Sequence, residues 1–129
     1  MVAPTTFRKQ ERIVSKLLIE TLFEKGDSQS LAAYPLRAIY TQTERRAECA
    51  ETQILISVPK KRFKHAVDRN MVKRQVREAY RKNKHLLNGH IGEGKQLLIA
   101  FVWLSDKHSP TAEVEKRVIS LLQKIASKV

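Results

Sequence analysis

The chain has 129 residues, 42% hydrophobic and 29% charged, with four Gly, four Pro and a formal net charge of +12. That length supports one domain with a single modest core, and so many apolar and so few Gly and Pro residues exclude wholesale disorder. No apolar run approaches the about 18 residues of a membrane-spanning helix, the opening MVAPTTFRKQER lacks the apolar core of a secretory signal, and the lone Cys49 cannot form an internal disulfide. A small cytoplasmic protein with a polyanionic partner is expected.

Residues 1–14 are polar and basic and read as an arm, leaving 15–129 as the folded domain. From Ser15, Leu18 with Leu22 and Ile19 with Phe23 fall four apart, predicting a short helix closed by Gly26. DSQSLAAYP reads as a turn or short edge strand. PLRAIYTQT alternates, with Leu36, Ala38 and Tyr40 on one side, and TQILISVP is a further strand ended by Pro59. After the basic segment KKRFKHAVDRNMVKRQVREAYRKNK and the glycine-containing loop NGHIGEG, KQLLIAFVWLS is apolar without alternation, the mark of a central strand covered on both faces. The last element places Val114, Val118, Leu121, Leu122 and Ile125 on one helical stripe, with Ser109 as cap and Pro110 at the first position. The fold class is α+β, a single-domain sandwich in the order α-β-β-β-α-β-α.

The basic segment, residues 60–84, carries eleven of the 25 Lys and Arg against two acids, Asp68 and Glu78, while the rest of the chain is near balance. Taking Asp68–Lys84 as helical and advancing about 100° per residue groups Val72, Val76, Ala79 and Tyr80 as a docking face. Arg69, Lys73, Arg77, Arg81 and Arg74, with Asn70 among them and Lys84 extending the row, make a positive stripe beside it. An ordinary solvated helix face mixes signs to gain pairs four residues apart, whereas this one repels itself. Arg69 near the helix start opposes the macrodipole, and a helix start is where phosphate is readily bound. Arg outnumbers Lys in the stripe, which suits bidentate phosphate contacts and stacking. Lys60 and Lys61 extend the charge into the preceding loop. A strand rather than a short helix and turn precedes the basic helix, which favours a sheet-based RNA binder over a DNA major-groove reader.

The segment AVDRNMVKRQVRE resembles the signature of the bacterial ribonuclease P protein component, R-N-x-x-K-R-x-x-R after an Ala-Val pair. Its fixed positions are held by Arg69, Asn70, Lys73, Arg74 and Arg77, with Ala66 and Val67 ahead. ILISVPKKRF is similar to that family's strand ending in Ser-Val-x-Lys-Lys, and LFEKG to the end of its first helix. The resemblance spans roughly residues 12–126. Two positions depart from the pattern: Ile19 stands where an aromatic residue is frequent, and His65 where Gly commonly precedes the Ala-Val pair.

The resemblance implies a four-stranded sheet, three helices and a left-handed βαβ crossover, an exception to the usual hand. It implies that a catalytic RNA subunit removes the 5′ leader of precursor tRNA with Mg²⁺, the ion being held by RNA and substrate and not by a protein cage. The protein, a monomer in a 1:1 complex with that RNA, would bind the leader in a cleft between the first helix and the sheet. Its basic motif would contact the RNA subunit. Tyr40, Phe23 and Ile19 are the expected cleft residues with Arg12 beside them, core packing being the other reading of Tyr40 and Phe23. Arg8 and Lys9 would add phosphate contacts from the arm.

The residues themselves show no nuclease centre. A two-metal site needs converging carboxylates, and Asp68 and Glu78 are ten residues apart. His65, His85, His90 and His108 share no ligand spacing with Cys49. Gly89 to Lys95 approaches a phosphate-binding loop, but Gln96 replaces the required Ser or Thr. The alternative to the family reading is a general RNA- or DNA-binding module, such as a ribosome-associated protein.

Overall fold

The computed structural model describes residues 28–44, 52–89, 91 and 94–128. Its strands are β1 (Gln29–Ala33), β2 (Leu36–Glu44), β3 (Thr52–Ser57) and β4 (Lys95–Trp103), forming one sheet in the order β1-β2-β4-β3. β1 and β2 are an antiparallel hairpin, with Ala33 paired to Leu36 across a turn whose Tyr34–Pro35 peptide is cis. β2 runs antiparallel to β4, and β3 runs parallel to it. Parallel neighbours need a crossover, here made by helix α1 (Ala66–Asn83) and a 3-10 turn over Lys84–Leu87. Helix α2 (Thr111–Lys128) closes the fold.

The unalternating run of β4 follows from its place between two strands with both faces covered. The pleat sends Leu97, Ile99, Phe101 and Trp103 into the main core, which the two helices complete. Leu98 and Ala100 point the other way and are fully buried with Ile39 and Leu55 packed against them. On β2 the same alternation buries Leu36, Ala38 and Tyr40 on the helix side, as expected from their spacing. The docking face of α1 is Val72, Val76, Ala79 and Tyr80, and that of α2 is Val114, Val118, Leu121, Leu122, Ile125 and Ala126. Each buried Val, Leu or Ile side chain here contributes about 1.5–3 kcal/mol. Tyr80 sits 6.4 Å from Phe101 in a tilted ring pair, joining the basic helix to the central strand.

Three boundaries differ from expectation. α1 begins at Ala66, before Asp68, and Lys84 opens the 3-10 turn instead of prolonging the α-helix. α2 begins at Thr111, because the Pro110 carbonyl already accepts from the N–H groups of Glu113 and Val114. Ser109 is therefore not its cap, and its carbonyl accepts from Gln75 Nε2 at 3.0 Å. After the 3-10 turn, Gly89 and Gly94 take φ of 80° and 73°, a region that favours glycine, on the way into β4. The arm with Arg8, Lys9 and Arg12, the expected first helix with Ile19 and Phe23, and Cys49 lie outside the described residues.

Candidate nucleic-acid interface

The basic helix starts without a side-chain cap. His65 is extended, and its carbonyl accepts from the Arg69 N–H at 3.3 Å. Asp68 in the first turn suits the positive end of the macrodipole, and Arg81 and Lys82 in the last turn suit the negative end. Apolar docking on one side and polar ties to α2 then fix the rotation of α1 about its axis. Gln75 Nε2 donates to the Ser109 carbonyl at 3.0 Å and to Thr111 Oγ1 at 3.2 Å. Asn83 Nδ2 donates to its own helix at Ala79 O and to Glu115 Oε2 at 3.1 Å. With α1 held in that rotation, the remaining face turns outward.

On that face Asn70 and Arg74 are exposed and Lys73 is half-buried, and none of the three has a hydrogen bond or ion pair among the described residues. Arg77 is half-buried and has a partner of its own. Arg81 is turned back on the helix: its Nη2 lies 2.9 Å from Glu78 Oε2, and its Nε reaches both carboxylate oxygens. The Arg81 hydrogen bond holds the Glu78 carboxyl below the usual carboxylate range, and Glu78 in turn raises the guanidinium pKa. The helix thus spends one of its cations neutralising its own acid.

Arg69 is also committed. Its Nη1 donates to the carbonyls of Phe63 and Lys64, each at 2.9 Å, bracing the loop that delivers the chain from β3 into α1. The same loop displays Lys60, Lys61, Lys64 and His65 to solvent, the first two at the tip of a turn closed by Arg62 N–H to Pro59 O at 3.0 Å. Its other fastening is to the loop before α2. Phe63 stacks on His108, whose Nε2 is 3.1 Å from Asp68 Oδ1, and Arg62 approaches Asp106 at 3.4 Å. Sequence reasoning missed Phe63, Gln75 and His108 as fasteners, since contacts between distant loops leave no periodic signal. The region is a fixed, nearly one-signed surface at the end of β3 and along α1, suited to phosphates. Among the described residues no group of three or more His, Cys, Asp or Glu could hold a metal ion.

The family model described as Ribonuclease P matches residues 7–126 of this chain. The chain belongs to the ribonuclease P protein family. It is 44% identical to the ribonuclease P protein component of Porphyromonas gingivalis, over all of this chain and 94% of that one. To the component of Chlorobium phaeobacteroides it is 33% identical, over 91% of this chain and 85% of the relative. The fold is similar to that of a Staphylococcus aureus RNase P protein mutant, with a TM-score of 0.66 at 24% identity, covering 92% of this chain and 90% of that one. It is similar also to the Thermotoga maritima RNase P protein in complex with 1-(4-fluorophenyl)-2-thiourea, with a TM-score of 0.61 at 23% identity over 85% and 97% of the two chains. As a ribonuclease P protein component, the chain is a subunit of the holoenzyme, the endoribonuclease that processes the 5′ end of tRNA. Membership brings the ribonuclease P RNA and precursor tRNA as partners.

Of the expected leader-cleft residues, Tyr40 is the one within the described residues. Tyr40 is 4% exposed and belongs to the main core with Leu36 and Ala38. Burial raises the Tyr40 phenol pKa above its usual 10.0, and the hydroxyl has no hydrogen-bond partner among the described residues. Phe23, Ile19 and Arg12 lie outside the described residues.

Proposed function

We propose that this ribonuclease P protein binds the catalytic RNA through the outward face of α1 and the loop before it. Asn70, Lys73 and Arg74 are the direct contacts, Arg77, Lys60 and Lys61 add charge, and Arg69 and Arg81 join as their internal partners allow. The observation that carries this is the run Asn70, Lys73 and Arg74, outward on a helix locked in rotation and without partners among the described residues. Residues of that kind gain more from phosphate than from anything the protein offers them. The 5′ leader would occupy a cleft between the first helix and the sheet, lined by Tyr40, Phe23, Ile19 and Arg12. An unpaired leader base can stack there.

This division makes catalysis a matter of differential binding. The leader is present in substrate and absent from product, so protein contacts to it favour precursor over mature tRNA. Mg²⁺ held by RNA and substrate would supply Lewis-acid chemistry, and the protein's part is to bind and orient the strands. The complex is read as one protein per RNA, acting in the cytoplasm. Full-chain likeness to RNase P proteins supports the finer fold reading as well, a helix over residues 15–26 and a left-handed β3-α1-β4 crossover.

The test is cleavage of a precursor tRNA at low Mg²⁺ by the protein alone, a bacterial ribonuclease P RNA alone, and both together. Efficient cleavage at the mature 5′ end only in the mixture is expected, with precursor bound more tightly than mature tRNA. Equal binding of the two tRNAs, with no stimulation of the RNA, would leave only a general RNA-binding module.

A further inference from the structure

Among the described residues, large exposed hydrophobics are confined to three: Tyr34 at the β1–β2 turn, and Val67 and Met71 on the basic helix, at 78% and 51% exposure. Val67 and Met71 are four residues apart and so lie one above the other on a helix. They stand away from the docking face, whose Val72, Val76, Ala79 and Tyr80 are at most 4% exposed. Stability gives little reason for leaving them outside: Val is a mediocre helix former, and Met71 keeps about half of its surface in water. Single surface hydrophobics are ordinary. A stacked pair within a surface of cations is a different object.

What surrounds the pair narrows its occupant. Asn70 and Arg74 flank it on the helix, and Lys64 and His65 stand exposed in the loop just before it. Of the nearby acids, Asp68 is engaged by His108 and Glu78 by Arg81. A stable protein interface needs roughly 1,000 Å² with an apolar centre, far beyond two side chains, and this rim of cations would repel a second copy of a basic chain. A nucleobase has an apolar face of about two side chains' extent and brings phosphates on either side. RNA-binding proteins commonly seat such splayed bases beside their phosphate contacts.

We propose that Val67 and Met71 form the seat for an unpaired nucleobase of the ribonuclease P RNA, its flanking phosphates held by Asn70 and Arg74. This rests on the assignment of the α1 face to RNA. It gives that face two components, a salt-dependent one from cations and a salt-independent one from apolar contact.

The test is binding of the full-length protein to a ribonuclease P RNA at fixed Mg²⁺ across a range of monovalent salt. Val67→Thr with Met71→Gln keeps size, charge and helix compatibility, and far-ultraviolet circular dichroism and the melting temperature confirm folding. The double variant is expected to bind about five- to tenfold more weakly with its salt slope unchanged. Met71→Leu alone, which keeps the apolar face, is expected to bind like the parent. Arg74→Ala should lower the slope by about one unit. If Arg74→Ala weakens binding and the double variant does not, the base seat is wrong and the RNA-binding face stands. If neither changes anything, the face assignment falls with it. If light scattering shows the parent self-associating and the double variant monomeric, with RNA affinity equal, the occupant is a second copy and the proposal is overturned.

Discussion

Phe63 and His108 stack with ring centroids 4.5 Å apart and planes 22° from parallel, and the same imidazole reaches Asp68 in the first turn of the basic helix at 3.1 Å. One aromatic pair therefore fastens the loop before α1 to the loop before α2. Phe63 is 8% exposed, so Phe63→Ala should cost about 3 kcal/mol from lost burial. A double-mutant cycle with His108→Ala, followed by urea denaturation, should return a coupling of about 0.5–1.5 kcal/mol. Strict additivity would mean the stack holds nothing.

Arg69 is the signature residue whose surroundings argue most against a purely external role, since one guanidinium nitrogen serves two loop carbonyls. Arg69→Ala should lower stability by about 1 kcal/mol, hydrogen bonds from a charged group being discounted for partial exposure. It should weaken RNA binding with little change in salt slope, in contrast to Arg74→Ala. A full unit of lost slope would show that Arg69 contacts a phosphate directly.

Glu78 is the acid on the helix whose carboxyl is held low by Arg81. Its folded pKa lies below the unfolded value, so the pair's contribution is present above the usual carboxylate pKa and fades as pH falls through the folded pKa. Glu78→Gln removes that dependence and the ion pair of Arg81 with Glu78, raising the net positive charge of the helix by one. RNA should then bind about two- to fivefold more tightly at low salt, with a steeper salt slope. Unchanged affinity would place Arg81 outside the interface.

Tyr40 carries a buried hydroxyl with no partner among the described residues. Tyr40→Phe should be neutral or stabilising by up to about 1 kcal/mol, because it deletes an unsatisfied polar group. The raised folded pKa means that the tyrosine's contribution is whole below pH 10.0 and lost as pH rises through the folded value. The Phe variant should therefore lose less stability than the parent above pH 10.0. Since Phe also stacks, leader discrimination should survive. Marked destabilisation would reveal a hydrogen bond to that hydroxyl.

Much of this protein was legible from periodicity, because local geometry and burial act together within one element. The spacing of Val72, Val76, Ala79 and Tyr80 marked the docking face of α1, and by exclusion the outward face with Asn70 and Arg74. The spacing of Val114 through Ile125 did the same for α2, and the unalternating run before Ser105 marked the central strand. The family, too, was readable from Arg69, Asn70, Lys73, Arg74 and Arg77, as fixed identities at fixed intervals. The tertiary structure alone decided which cations are already engaged. Arg69 and Arg81 look like Arg74 on a helical wheel, yet one is spent on loop carbonyls and the other on Glu78. It also decided that β3 pairs with β4 in parallel, that Tyr40 is buried, and that His108 meets Phe63. The reason is physical. A helix or strand declares its buried face through its own repeat, whereas hydrogen bonds and stacking depend on where separate segments bring their ends together.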